Sequence, residues 1–139
     1  MSSEHDVATL VQGLYQELGN WQAFRQRLDP HVTVWESDAE QLLNGTAQVE
    51  ELRGRRRAAL TAADVPLSVK PENVIIDAWT DGAVARYILR AVYPSAEPDR
   101  CYRVTDVLRC GNAGWHIVHH HSEALSPRDR AAVTTPTSG

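Results

Sequence analysis

From Pro66 onward the hydrophobic period of this chain is two and strands dominate, where helical spacing dominates before it, and that change limits the folds open to it. Before it, apolar residues recur at helical spacing: Val7, Leu10, Val11, Leu14 and Leu18 form one stripe over residues 5 to 18, with Tyr15 at its border. Gly19 and Asn20 fit the end of that helix. The segment WQAFRQRL, from Trp21 to Leu28, reads as a short second helix stopped by Asp29 and Pro30, and HVTVWES as the first strand. A polar segment then runs to Asn44 and Gly45, and Thr46 is placed to cap a third helix reaching about Ala63, with Val49, Leu52, Ala59 and Leu60 inward. After Pro66 the period is two. SVKPENVIIDAW, the turn TDG and AVARYILRAVY make one hairpin; DRCYRVTDVLRC and WHIVHHHSE, joined by GNAG, make a second. Helices followed by antiparallel strands give an α+β class.

A chain of 139 residues supports one domain, expected over residues 1–125, with ordinary hydrophobic content at 42%. Residues 126–139, rich in Ser, Thr, Pro and Ala without period, are expected to be a disordered tail. The net charge of -4 argues against nucleic acid or an anionic membrane as partner. Arg55, Arg56 and Arg57 form the longest basic run, read as a solvated helix face in preference to a phosphate site. Cys101 and Cys110 lie nine residues apart in one strand, too distant for a disulfide, so reduced thiols are expected. Neither a leader pattern nor an apolar stretch of membrane-spanning length is visible, which makes the cytoplasm the default compartment.

Within CYRVTDVLRC, alternate residues Tyr102, Val104, Asp106, Leu108 and Cys110 share one face. Asp106 is the only acid on it. Desolvation disfavours a charged carboxylate, so a neutral Asp106 able to donate a hydrogen bond to a developing oxyanion is one expectation. The other is an Asp106 bonded to a backbone amide or paired with an arginine. In the last strand His119 and His121 share a face and His120 takes the opposite one. Two imidazoles without a third ligand indicate no metal. His119 or His121 is expected at a pocket mouth, as a hydrogen-bonding or proton-relay group or as a satisfied sheet histidine. Trp35 alternates with Glu36 and points away from it, towards packing or a subunit surface. Arg86, Arg90, Arg103 and Arg109 alternate outward, and no phosphate loop, zinc pattern, nucleophile elbow or dinucleotide fingerprint occurs, so no cofactor is expected.

This order of elements, with VTVWESDAEQLLNG and GWHIVHHHSE, resembles the nuclear transport factor 2-like superfamily over residues 5 to about 125. The ending W-x-I-V-H-x-H-S is similar to its SnoaL-like branch, which contains polyketide cyclases. The resemblance implies a curved antiparallel sheet wrapped around N-terminal helices to form a conical pocket. Three residues match the catalytic set of ketosteroid isomerase in that superfamily: Tyr15 in LYQEL, Glu36 at the end of the first strand, where the isomerase has an aspartate, and Asp106 in TDVLR. Glu36 is then the base, and Tyr15 and Asp106 hold the enolate oxygen. Tyr102, Val104 and Leu108, with His119 and His121, are expected to line the pocket. The implied activity is a cofactor-free isomerase or cyclase acting on a small hydrophobic carbonyl compound, polyketide- or terpenoid-like, in a homodimer. The same superfamily holds noncatalytic ligand-binding or association modules, and a cyclase with His119 or His121 as base is a third reading.

Overall fold

The computed structural model describes residues 3–16, 20–94 and 98–126. Calls on the segments outside these, the disordered tail and the helix end at Gly19 among them, lie outside the described residues. Helix α1 (Ser3–Leu14) buries Val7, Leu10, Val11 and Leu14, the stripe expected at i, i+3, i+4 and i+7. It ends at Leu14, and Tyr15 stands in the turn beyond. Helix α2 (Trp21–Arg25) is capped by Asn20, whose side chain accepts from the Ala23 N–H at 3.1 Å. It stops earlier than expected. Leu28 instead opens β1 (Leu28–Trp35) and is buried opposite Ile117, because the sheet has a more apolar place for it than a third helical turn. Pro30 is accommodated within β1 because it falls in the irregular stretch between the Leu28 and Thr33 pairings, where its missing N–H costs no ladder bond.

A two-residue strand, β2 (Leu43–Asn44), which the sequence did not announce, leads into α3 (Gly45–Ala59). Gly45 has φ +82°, and a Cβ there would sit 3.3 Å from the Pro30 carbonyl, so glycine is required where α3 departs from the sheet. Val49 and Leu52 are buried as expected, but Ala59 and Leu60 are exposed. The inward stripe continues at i+4 and i+7 from Val49, and those positions are Arg53 and Arg56.

A single 3₁₀ turn (Ala62–Asp64) precedes the two hairpins, β3 (Ser68–Ala78) with β4 (Gly82–Val92) and β5 (Arg100–Gly111) with β6 (Gly114–Ala124). The six strands form one unclosed sheet in the order β2-β1-β6-β5-β4-β3, antiparallel except where β1 runs parallel to β6. Helix α1 packs on β3, β4 and β6, and α3 on β1 and β2, so the core lies between the helices and one sheet face. Besides the irregular stretch in β1, two bulges bend the hairpin strands. One lies between Glu72 and Ile75 of β3, with Asn73 at φ +56°. The other is in β6: Leu108 pairs with Ile117 but Val107 with His119, leaving Val118 as an extra residue. Cys101 and Cys110 are free thiols.

Candidate active site

The Val118 bulge decides which histidine faces the core. Alternation from buried Ile117 would turn His119 and His121 inward; the extra residue moves the inward positions to His120 and Ser122, which are buried. The pocket-mouth alternative for His119 and His121 is therefore corrected, and His119 takes the other one, a satisfied sheet histidine. His121 is exposed, and His119, on the outer face, bonds the Thr33 hydroxyl through Nδ1 at 2.7 Å. Burial, together with the neighbouring His120 and His121, holds the His119 imidazole below its ordinary pKa.

Asp106 is wholly buried and pairs in register with His120 across β5 and β6. Its Oδ1 is 2.5 Å from His120 Nδ1, and its Oδ2 accepts the Tyr87 hydroxyl at 2.6 Å. On the other flank its register partner is Ala85, small enough to let Tyr87, two residues along β4, reach diagonally to the carboxylate. The Tyr87 oxygen lies 2.6 Å from the Tyr15 oxygen. Because Tyr87 spends its one hydrogen on Asp106, Tyr15 is the donor in that contact. The chain of donation runs Tyr15 to Tyr87 to Asp106, with His120 approaching Asp106 from the other side. Both oxygens of Asp106 are engaged inside the protein by Tyr87 and His120, which corrects the expectation of a backbone or arginine partner.

Burial, and after it the nearby Asp106 charge, pushes the Tyr15 hydroxyl well above the ordinary tyrosine range. Tyr87 is raised likewise by burial and by its neighbours Tyr15 and Asp106. Both therefore remain donors. Burial opposes charge on His120, but the Asp106 carboxylate outweighs it and raises the imidazole above its ordinary value.

Glu36 sits at the end of β1, partly buried, with Oε2 3.3 Å from Nη2 of Arg56, whose guanidinium also grips Asp38. Burial opposes the Arg56 charge, and the bonds to Asp38 and Glu36 hold it up. Arg56 is thus not part of the solvated face expected for the basic run, while Arg55 and Arg57 are exposed. Of the expected pocket residues, Val104 and Leu108 are buried in the core cluster and Tyr102 is partly buried. Tyr87, His120, Arg53 and Arg56 were not anticipated. The hairpin register and the α3 stripe carry the signal for three of them; the bulge hides the fourth. A surface depression of about 370 Å³ near Asp6, Arg27 and Trp115 shares no residue with this cluster. Among the described residues no three His, Cys, Asp or Glu side chains gather as metal ligands, and no helix is long and apolar enough to cross a membrane.

A family model for the SnoaL-like domain matches residues 7–126. No curated protein sequence matches the chain. Among solved structures, a nuclear transport factor 2-like protein of unknown function from Pseudomonas putida superposes with a TM-score of 0.78 at 13% identity, covering 92% of this chain and 90% of that one. A candidate ketosteroid isomerase from Parabacteroides distasonis gives 0.69 at 16% identity, covering 91% and 90%. The CaMKII hub homology domain of Chlamydomonas reinhardtii gives 0.70 at 23%, covering 91% and 100%. At these identities the likeness fixes the fold, a nuclear transport factor 2-like cone, and leaves the chemistry to the residues. The chain belongs to the SnoaL-like domain family of that superfamily.

Proposed function

We propose that the protein is a cofactor-free acid/base isomerase or cyclase acting on a small hydrophobic carbonyl compound, polyketide- or terpenoid-like. The observation that carries this reading is the buried chain Tyr15–Tyr87–Asp106–His120. A carboxylate on Nδ1 fixes the imidazole's tautomer and orientation, and leaves Nε2 to take a proton beside a carbonyl. As charge moves to the carbonyl oxygen, the Tyr15 hydroxyl turns its hydrogen from Tyr87 to the enolate. The proton returns from His120 at a conjugated carbon in an isomerisation, or the enolate carbon attacks a second carbonyl in a cyclisation. Asp106 acts here as the orienting group rather than as a second oxyanion donor. Glu36 is engaged by Arg56 through an ion pair, so it is assigned to holding Arg56. The test is turnover of unsaturated ketones and poly-carbonyl compounds, followed by absorbance. His120→Gln is expected to lower the rate about a hundredfold or more, the usual worth of a general base, and Glu36→Gln to be tolerated. The reverse ranking returns the base role to Glu36.

Association is a second reading with its own observation. The outer sheet face presents Trp35, 40% exposed, and Val107, 38% exposed, in adjoining register rows with Thr33, Val84 and His119. Apolar side chains grouped on a sheet surface favour a covering partner, and a second copy of the chain, forming a homodimer, is the one proposed.

A further inference from the structure

Arg53 projects from the inward stripe of α3 into an aromatic wall. Its Cζ stands 4.8 Å from the centroid of the Trp21 ring and 5.2 Å from that of Phe24, which stack on each other, and Phe24 meets Tyr15 edge to face at 6.2 Å. Among the described residues the Arg53 side chain finds no hydrogen-bond or ion-pair partner. Its Nε is buried without an acceptor, and so is Nε1 of Trp21, the ring it lies over. Glu36 is near enough to favour the Arg53 charge, but its contact is with Arg56. Two buried donors on touching side chains, neither bonded to an acceptor, are a one-sided polarity that native interiors rarely tolerate. Burial, and after it the neighbouring Arg56, pull the Arg53 pKa down, so an added negative charge is favoured there.

We infer that Arg53, with Trp21 and Phe24 as its walls, binds a carboxylate, and that the molecule accepted beside Tyr15 is therefore a hydrophobic carboxylic acid. A guanidinium offers five donors and no acceptor, and its planar fork matches a carboxylate. The two faces of the site differ in kind: aromatic rings take an apolar or unsaturated body, and the cation takes its acidic end. Arg56 does not compete for the ligand, since Asp38 and Glu36 already occupy it. That the acid is the substrate rests on the acid/base reading above; that the site binds an acid does not.

The experiment is a titration of the full chain with cinnamate and, separately, with cinnamamide, which has the same shape without the charge. Binding is read from the Trp21 indole N–H resonance, assigned with Trp21→Phe. The wild type is expected to prefer the acid by about tenfold or more, the worth of one charge-assisted hydrogen bond. Arg53→Gln is expected to bind both alike, and Arg53→Lys to retain a reduced preference. Equal affinity in the wild type, absence of binding by either probe, or a preference that survives Arg53→Gln overturns the assignment. His120→Gln leaves the preference for cinnamate in place, so loss of the proposed base and loss of the anion site are read separately.

Discussion

An imidazole with Nδ1 2.5 Å from a wholly buried carboxylate has one nitrogen left to use, and its protonation decides both chemistry and stability. The His120 pKa is raised in the fold, so its stabilising contribution is complete below the unfolded value of about 6.5 and is lost as pH rises through the folded value. The neutral ring needed of a base appears over that same interval. Turnover is therefore expected to rise with pH while the unfolding free energy falls, with a shared midpoint above the ordinary imidazole value. Rate profiles and urea titrations at matched pH check it; coincident rises in both would place the controlling proton elsewhere. Asp106→Ala strands His120 and Tyr87 together. Removing one partner of a buried pair costs about 3–5 kcal/mol, so the unfolding free energy is expected to drop by that amount, read as a lower urea midpoint at unchanged slope.

At the scale of elements, a β-turnless irregularity sets the geometry. Asn73, at φ +56° in the β3 bulge, holds a conformation that asparagine tolerates and a β-branched residue does not. Asn73→Val is expected to cost about 1–2 kcal/mol and Asn73→Gly to be near neutral, measured by denaturant midpoint. The same features mark where sequence reading stops. Period alone placed α1, both hairpins and the inward position of Asp106, because each depends on spacing within one element. The end of α2 and the inward histidine were not legible. Each depends on pairing between elements: Leu28 is drawn into the sheet by Ile117, and His120 is turned inward by one unpaired residue. On α3 the stripe was visible, but apolar residues were sought at its end, where Arg53 and Arg56 supply a charged lining instead.

For the molecule as a whole, the unclosed sheet has one face filled by helices and one that no other described element covers. Trp35 and Val107, exposed on that second face, predict a dimer. Trp35→Arg combined with Val107→Arg sets like charges against each other across a two-fold axis. Light scattering is expected to show the wild type at twice the 15.5 kDa chain mass and the double variant at that mass, with an unchanged circular-dichroism spectrum. A wild-type monomer would remove the association reading. The architecture itself was legible because helix-then-strand order leaves few ways to bury both apolar faces, and the family match over residues 7–126 agrees with it.

The histidine triplet and the bulge before it also bear on how such a centre survives change. With Val118 bulged, His120 stands opposite Asp106; with the strand drawn straight, a slip of one position brings His119 there instead. Three identical residues in a row make the two alignments chemically equivalent at the carboxylate. Loss or gain of a residue upstream in β6, ordinarily enough to invert a strand and erase a buried pair, leaves this one furnished with an imidazole.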